Sequence, residues 1–597
     1  MTLKRFVKLG GRAVDLRAYG DVAPPVMEND TIPAITGSPI QGQTLTASTG
    51  AWTPTPDWVT YQWRRNNGAI PGAVTAGYTV QAADLGQDLT VVVTAHKSGH
   101  VSASAQSAAV NVPTAEPSPG LFFALPDTSD SPKLSLAHYY PPMPRTFNNS
   151  QNDAYTTAYL PVNGEGGIHA SFGGWVRNRP MTDAPYPNPY IETMHRRCIE
   201  DAIAGGIDGF FVDILGASGP NWDRLVGLAK TASNEYPGFW IVPMLDCNGT
   251  TATSQTNAVI AARIAHFANR PSAYYLPNGR YLISGYRTVF NGVSNANSAT
   301  KWQQIFDLLA SNHGLSNPAL VGVFNNWQAQ YTGGAFNGKL YAAGRWAIAA
   351  DPQVWAQTGD TAALVRSRGE KYLAPIWAQD MRPRDHWFDE ARNTGSLRES
   401  WNRAIADDAD LVQICTWSDF TEGSAIMSNV KAGHAWIDVS AWWQSRWKTG
   451  VFPPILRDAM YVSHRNQMAN ATITGGQSTF MTHRSVGNRS TFREHVEILT
   501  FFTAPATVSV KIGSTTYNYT APAGMNVQTY AMAPGEVSAK AVRSSVEIAR
   551  VNSPVVIKST AANDDREYCI FSSLRGTAGQ YDPTPGSPSP NPANYIT

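Results

Sequence analysis

Two carboxylates stand three residues apart in Thr416-Trp-Ser-Asp-Phe-Thr-Glu-Gly-Ser424, straight after the apolar run Leu411-Val-Gln-Ile-Cys-Thr416. Asp419 and Glu422 cannot both lie unpaired in a core cheaply, because burying such groups costs several kcal/mol or forces protonation. Cleavage of a glycosidic bond needs such a pair: one carboxyl protonates the leaving oxygen and the other activates the attacking group. The same two acids also suit a helix N-terminus, where the dipole and free N–H groups favour negative charge. Spacing alone leaves both readings open.

The elements around the pair sharpen the reading. Between residues 133 and 451, short apolar runs alternate with amphipathic stretches. The runs are 134–140, 209–214, 239–245, 281–286, 319–324, 345–349, 372–376 and 411–416. Residues 190–204 and 396–407 carry helical periodicity between them. Eight buried strands alternating with helices predict a (β/α)₈ TIM barrel, whose reactive groups gather at the C-terminal strand ends. No GxGxxG follows the first run, which argues against a nucleotide-binding open sheet.

The candidate site is therefore the set of residues closing each run. They are His138, Tyr139 and Tyr140; Asp213; Asp246; Tyr286 and Arg287; Asn325, Asn326 and Trp327; Asp351; Trp377, Asp380 and Arg382; and Trp417 with Asp419 and Glu422. The set is acidic, aromatic and amide-rich, with few cations. That suits sugar hydroxyls and pyranose faces, whereas a phosphate site needs more Lys or Arg. Tyr139, Tyr286, Trp327, Trp377 and Trp417 are candidate stacking walls, although a single buried aromatic is more often core. Asp213 and Asp246 are placed to hold hydroxyls or to serve the scaffold.

Composition narrows the partners. Lys plus Arg number 46 and Asp plus Glu 45, a balance that gives no support for binding nucleic acid or anionic membrane. Four scattered cysteines, with no CxxC and no HExxH, read as buried free thiols with room for one bridge at most, and no metal or cofactor is expected. No apolar run reaches 18 residues, so no membrane span is expected, and the N-terminus lacks the apolar h-region of a Sec signal peptide.

Six segments follow from the punctuation of the chain. Residues 1–30 read as a basic attachment arm. Residues 31–113 read as an immunoglobulin-like β-sandwich, with Trp63 inward and Asp84-Leu-Gly86 at a corner. Residues 114–132 form a Pro/Ser-rich linker, and 133–451 the barrel. Residues 452–575 lose helical periodicity and read as a second β-sandwich, and 576–597 as a Pro-rich flexible tail.

Several motifs, in order along the chain, resemble glycoside hydrolase family 71, the α-1,3-glucanases or mutanases. These are Ala137-His-Tyr-Tyr140, Gly206-Ile-Asp-Gly-Phe210, Leu245-Asp246, Tyr372-Leu-Ala-Pro375, Ser400-Trp401, Thr416 to Gly423, and Asp458-Ala-Met-Tyr-Val-Ser-His-Arg465. Ser418, Phe420 and Thr421 depart from the family's Asn, Tyr and Gly, and Glu422-Gly-Ser-Ala-Ile426 is similar to a segment of family 99 endo-α-mannosidases and endo-mannanases. The resemblance to family 71 implies an inverting endo-α-glucanase with Glu422 as acid and Asp419 as base. The N-terminal module resembles the immunoglobulin-like modules of phage tail proteins. With the basic arm it implies a virion tail location, other tail proteins as partners, and a bacterial surface polysaccharide as substrate. Two alternatives remain: a non-catalytic glycan-binding tail protein on the same fold, and a bacterial surface α-glycanase.

Overall fold

The computed structural model describes residues 6–9, 12–15, 24–37, 39, 43–112, 117–142, 154–181, 190–346, 361–484 and 493–596. The chain forms two compact units, 1–116 and 117–597.

In the first unit, the strand Trp58–Arg65 pairs antiparallel with Asp88–His96, which also pairs with Ala103–Gln106. Period-two alternation turns Trp63, Val91 and Val93 into a core with Leu45 and Tyr78. Asp84 does sit at the corner: it accepts from Tyr78 Oη at 2.8 Å and from Arg65 Nε at 2.6 Å. The sandwich begins earlier than residue 31, since Glu28–Thr31 pairs with Ala51–Thr53 and Met27 is buried beside Trp52. Half of the expected arm lies outside the described residues; within the rest, Phe6–Leu9 pairs antiparallel with Arg12–Asp15.

The second unit holds a closed barrel of eight parallel strands. They are β1 (Leu134–Tyr139), β2 (Gly209–Ile214), β3 (Trp240–Asp246), β4 (Leu282–Tyr286), β5 (Ala319–Phe324), β6 (Ala342–Arg345), β7 (Lys371–Trp377) and β8 (Leu411–Cys415). β8 pairs with both β1 and β7, which closes the ring. Helices such as α1 (Tyr190–Ala204), α2 (Asn295–His313), α3 (Gly395–Ala406) and α4 (Ala435–Thr449) follow the strands. Their ends carry ordinary signals: Ser294 Oγ accepts from Asn297 N–H at the start of α2, and Gly314 turns left-handed after it.

Strand six corrects the sequence reading. It spans Ala342–Arg345, not 345–349, and residues 347–360, Asp351 included, lie outside the described residues. Small residues are required here, because a Cβ on Gly344 would lie 2.2 Å from the Leu373 carbonyl on β7.

The C-terminal sandwich stacks two four-stranded sheets. One contains Ala459–Arg465 and His495–Phe502, the other Ala506–Ile512 and Val537–Arg543. Two expectations of looseness fail. In the linker, Leu121, Phe122 and Phe123 are buried, and Phe122 stacks on Phe501 with centroids 3.9 Å apart. Three consecutive large apolar residues gain more by insertion than as a joint. In the tail, Tyr581 N–H bonds to Val430 O, and the buried Asp582 carboxylate takes Lys558 Nζ at 2.5 Å and Asn466 Nδ2. All four cysteines are free and buried. Among the described residues no helix is long and apolar enough to cross a membrane.

Candidate active site

Alternation along the strands decides which strand-end residues face the barrel mouth. Leu134 and Leu136 on β1, Phe211 on β2, Val242 and Met244 on β3 and Leu282 on β4 share the inner core. The next inward positions are His138, Asp213, Asp246 and Tyr286. The structure brings these four together: His138 Nε2 lies 3.4 Å from Asp213 Oδ2, and the His138 ring lies 5.8 Å from that of Tyr286. Asn248 N–H donates to Asp246 Oδ1 at 2.8 Å.

Parity removes Tyr139, and packing removes other candidates. Tyr139 points outward, fully buried with its ring 5.4 Å from Phe210. Trp417 is also fully buried, 5.1 Å from Phe210. Trp327 stacks on Tyr331 at 4.1 Å beside Phe324. Trp377 lies on the inner face of β7 and is 2% exposed, as buried as Asp213 and His138. Asn326 is exposed and caps a short helix by accepting from Ala329 N–H at 3.1 Å, while its neighbour Asn325 bonds to Tyr286. A candidate wall outside the expected set is Trp346, whose ring lies 4.8 Å from His138 and 4.5 Å from Tyr286. It stands directly after β6 and falls inside the run 345–349 expected as the sixth strand. Replacing Trp346 with Ala should raise KM for glycan about tenfold with little change in kcat, the loss of one stacking contact. Steady-state kinetics check this, and an unchanged KM would take Trp346 out of the substrate path.

The catalytic candidates sit on the turn after β8. Asp419 Oδ1 accepts from Thr421 Oγ1 at 2.5 Å, from Thr421 N–H at 2.9 Å and from Glu422 N–H at 3.3 Å. Ser418 ties this turn to β1, its Oγ accepting from Tyr140 N–H at 3.1 Å. Arg382 forks to Glu422, at 2.5 Å to Oε1 and 2.7 Å to Oε2, and also to Asp380 at 2.9 and 2.8 Å. Asp380 is thus a partner of Arg382 rather than a free sugar ligand.

Electrostatics separate the two acids. Burial raises Asp419 above the usual carboxylate range, and the Thr421 bonds, Arg382 and His138 hold that rise back. Burial and then the charge of Asp419 push Glu422 much further up, with Arg382 opposing. Of the two acids, Glu422 is pushed further toward its protonated form, against the Arg382 fork that favours its ionised one. Burial, then Asp419, also lifts Asp213 well above its ordinary range, and burial with Asp213 lifts Asp246 to about 7. Burial pushes His138 down to about 4, so its imidazole is neutral at pH 7. The arrangement can donate a proton from Glu422, accept one at Asp419 and hold hydroxyls on His138, Asp213 and Asp246.

Two cavities lie beside the loop that follows β3. A cavity of about 610 Å³ is lined by Leu215, Asn221, Arg224, Asn248 and Thr250 among others. A second, of about 430 Å³, is lined by Asn248, Arg287, Phe290 and Gln330 among others. They share Asn248, and neither lining includes Asp419, Glu422, His138 or Asp213. Among the described residues no cluster of His, Cys, Asp and Glu has metal-holding geometry.

The family model "Glycosyl hydrolase family 71" matches residues 188–570. "Glucan endo-1,3-alpha-glucosidase agn1" of Schizosaccharomyces pombe is 22% identical over 365 residues, covering 58% of this chain and 82% of that protein. Among solved structures, the GH99 endo-alpha-mannosidase from Bacteroides thetaiotaomicron is similar at 12% identity and a TM-score of 0.38, covering 53% of this chain and 96% of that one. A Cellulomonas fimi endo-beta-1,4-mannanase double mutant is similar at 12% identity and a TM-score of 0.28, covering 58% and 86%.

Proposed function

Since the chain belongs to glycosyl hydrolase family 71, we propose that it cleaves α-1,3-glucosidic bonds within a polysaccharide, with Glu422 as general acid and Asp419 as general base. The observation that carries this reading is the pair on the turn after β8, Asp419 buried and Glu422 half-buried in the Arg382 fork, with Glu422 pushed higher than Asp419. The α-1,3 linkage is taken from the Schizosaccharomyces pombe relative. In the reaction, the Glu422 carboxyl gives its proton to the glycosidic oxygen as the C–O bond breaks. Asp419 takes a proton from the water that forms the new bond at the anomeric carbon. Arg382 leaves its fork on Glu422 when the acid carries its proton, and stays with Asp380. His138, Asp213 and Asp246 hold ring hydroxyls, and Trp346 and Tyr286 face the sugar planes. Direct attack by water inverts the anomeric centre.

The test is reducing-end release from α-1,3-glucan, α-mannan and bacterial capsular polysaccharides, with NMR of the first product formed. Release from α-1,3-glucan with β-anomeric product supports the reading. Release from α-mannan alone replaces the substrate, and an α-anomeric product removes inversion.

The wider setting rests on the sequence. The basic N-terminal arm and the immunoglobulin-like module support a place on a phage tail, where the barrel would cut the host's surface glycan. Mass spectrometry of purified virions tests this. Detection on the bacterial surface instead would make the protein a surface glycanase of the cell.

A further inference from the structure

The C-terminal sandwich reaches the catalytic turn. Its strip Arg566-Glu-Tyr568 is buried and fastened along residues 379–381. Tyr568 N–H donates to Gln379 Oε1 at 3.1 Å, and Arg566 N–H to Met381 Sδ at 3.4 Å. Met381 N–H in turn donates to Glu422 O at 2.6 Å. Between these contacts stands Glu567. Its Oε2 accepts from Asn178 Nδ2 at 2.9 Å and lies 3.5 Å from Lys431 Nζ, which also pairs with Asp565 at 2.6 Å. Glu567, Lys431 and Asp565 are fully buried.

The other oxygen is the telling one. Glu567 Oε1 is buried with no hydrogen-bond partner among the described residues. It fills the space where a side chain at position 423 would go: a Cβ on Gly423 would lie 2.9 Å from it. Gly423 has φ +58° and follows Glu422 directly. A carboxylate fixed by Lys431 and Asn178 thus abuts the backbone that carries the proposed acid.

We propose that Glu567 is a positioning residue for hydrolysis, its carboxylate setting the Gly423 backbone and so the direction from which Glu422 meets the glycosidic oxygen. This rests on Glu422 being the general acid. It makes the C-terminal sandwich part of the catalytic apparatus, through contacts that no strand-end reading of the barrel includes. A misplaced acid slows a step that needs protonation and spares one that does not, which separates positioning from bulk stability.

The experiment uses the full chain with two substrates, α-1,3-glucan and an α-1,3-oligoglucoside bearing a nitrophenyl leaving group. Glu567→Ala should lower kcat on glucan by about 10- to 100-fold with KM within about twofold, and on the nitrophenyl substrate by only about threefold. Glu567→Gln, which keeps the shape and the Asn178 contact, should recover most of the loss. Asp458→Asn, which loses an ion pair to Arg543 in the same domain, should lower Tm and leave kcat unchanged. If Glu567→Ala does not fold, Glu567→Asp withdraws the carboxylate by one methylene and is read the same way. Equal losses on both substrates, full activity in the folded variant, or Gln no better than Ala would overturn the proposal. A Glu422→Gln arm separates the premises: glucan hydrolysis surviving that change removes the acid assignment itself. A dead Glu422→Gln beside a fully active Glu567→Ala removes only the positioning role.

Discussion

Glu422→Gln should reduce glucan hydrolysis by roughly 10²–10⁴-fold, the usual contribution of a positioned general acid, in a protein whose circular dichroism and melting curve stay close to wild type. The amide keeps the shape of the side chain and can still hydrogen-bond to Arg382, so the fold has little reason to suffer. What is lost is a carboxyl that burial and Asp419 push toward its protonated form. Two signatures accompany the loss. Activity on a nitrophenyl glycoside falls far less, because nitrophenolate leaves without protonation. The alkaline limb of the kcat/KM profile disappears, because no group remains that must be protonated. Asp419→Asn should be equally damaging but without either signature, since activating water is needed whatever the leaving group. Loss of the alkaline limb in Asp419→Asn, with its retention in Glu422→Gln, would exchange the two roles.

That contrast rests on geometry only partly legible in the chain. Buried parallel strands read as continuous apolar runs, and seven of the eight runs overlie barrel strands for that reason. The sixth failed because Ala342-Ala-Gly-Arg345 carries no apolar signature, and Gly344 is there for lack of space. The following Trp-Ala-Ile-Ala stretch looked more like a strand than the strand itself, and this hid Trp346. Strand alternation could have separated His138 from Tyr139, since one faces the mouth and the other the helical layer. Trp417 could not be sorted that way, because it lies beyond the end of β8, where alternation no longer holds. The linker and the tail were misjudged by composition: Leu121-Phe-Phe123 sits inside a Pro/Ser-rich segment, and Asp582 inside a Pro-rich one. Proline limits the backbone, yet neither side chain depends on regular structure to find its partner. The Arg382 fork was out of reach altogether. Its partners lie two and 40 positions away, and nothing in spacing selects Glu422 over the other acids.

That fork supports the second large effect. Arg382→Met should move the entire bell-shaped pH profile of kcat/KM to higher pH, by on the order of one to two units, since a cation within contact distance lowers a carboxyl by about that much. The direction follows group by group. Glu422 acts protonated, so activity falls as pH rises through its pKa. Arg382 holds that pKa down, and removing it carries the alkaline limb upward. Asp419 acts ionised, so activity falls as pH drops through its pKa. Arg382 lowers this one too, and removing it carries the acid limb upward as well. Arg382→Lys should give a smaller shift, because an ammonium restores the charge but cannot fork to Glu422 and Asp380 together. The maximum should also drop, as the hairpin Asp380–Arg382 with Trp387–Asp389 loses the side chain that ties it to the turn. A structural role alone predicts the lower maximum with both limbs in place. An unmoved profile in a folded Arg382→Met protein would therefore mean that the guanidinium braces the turn without tuning either acid. Opposite movement of the two limbs would mean that it acts on only one of them in the proposed sense.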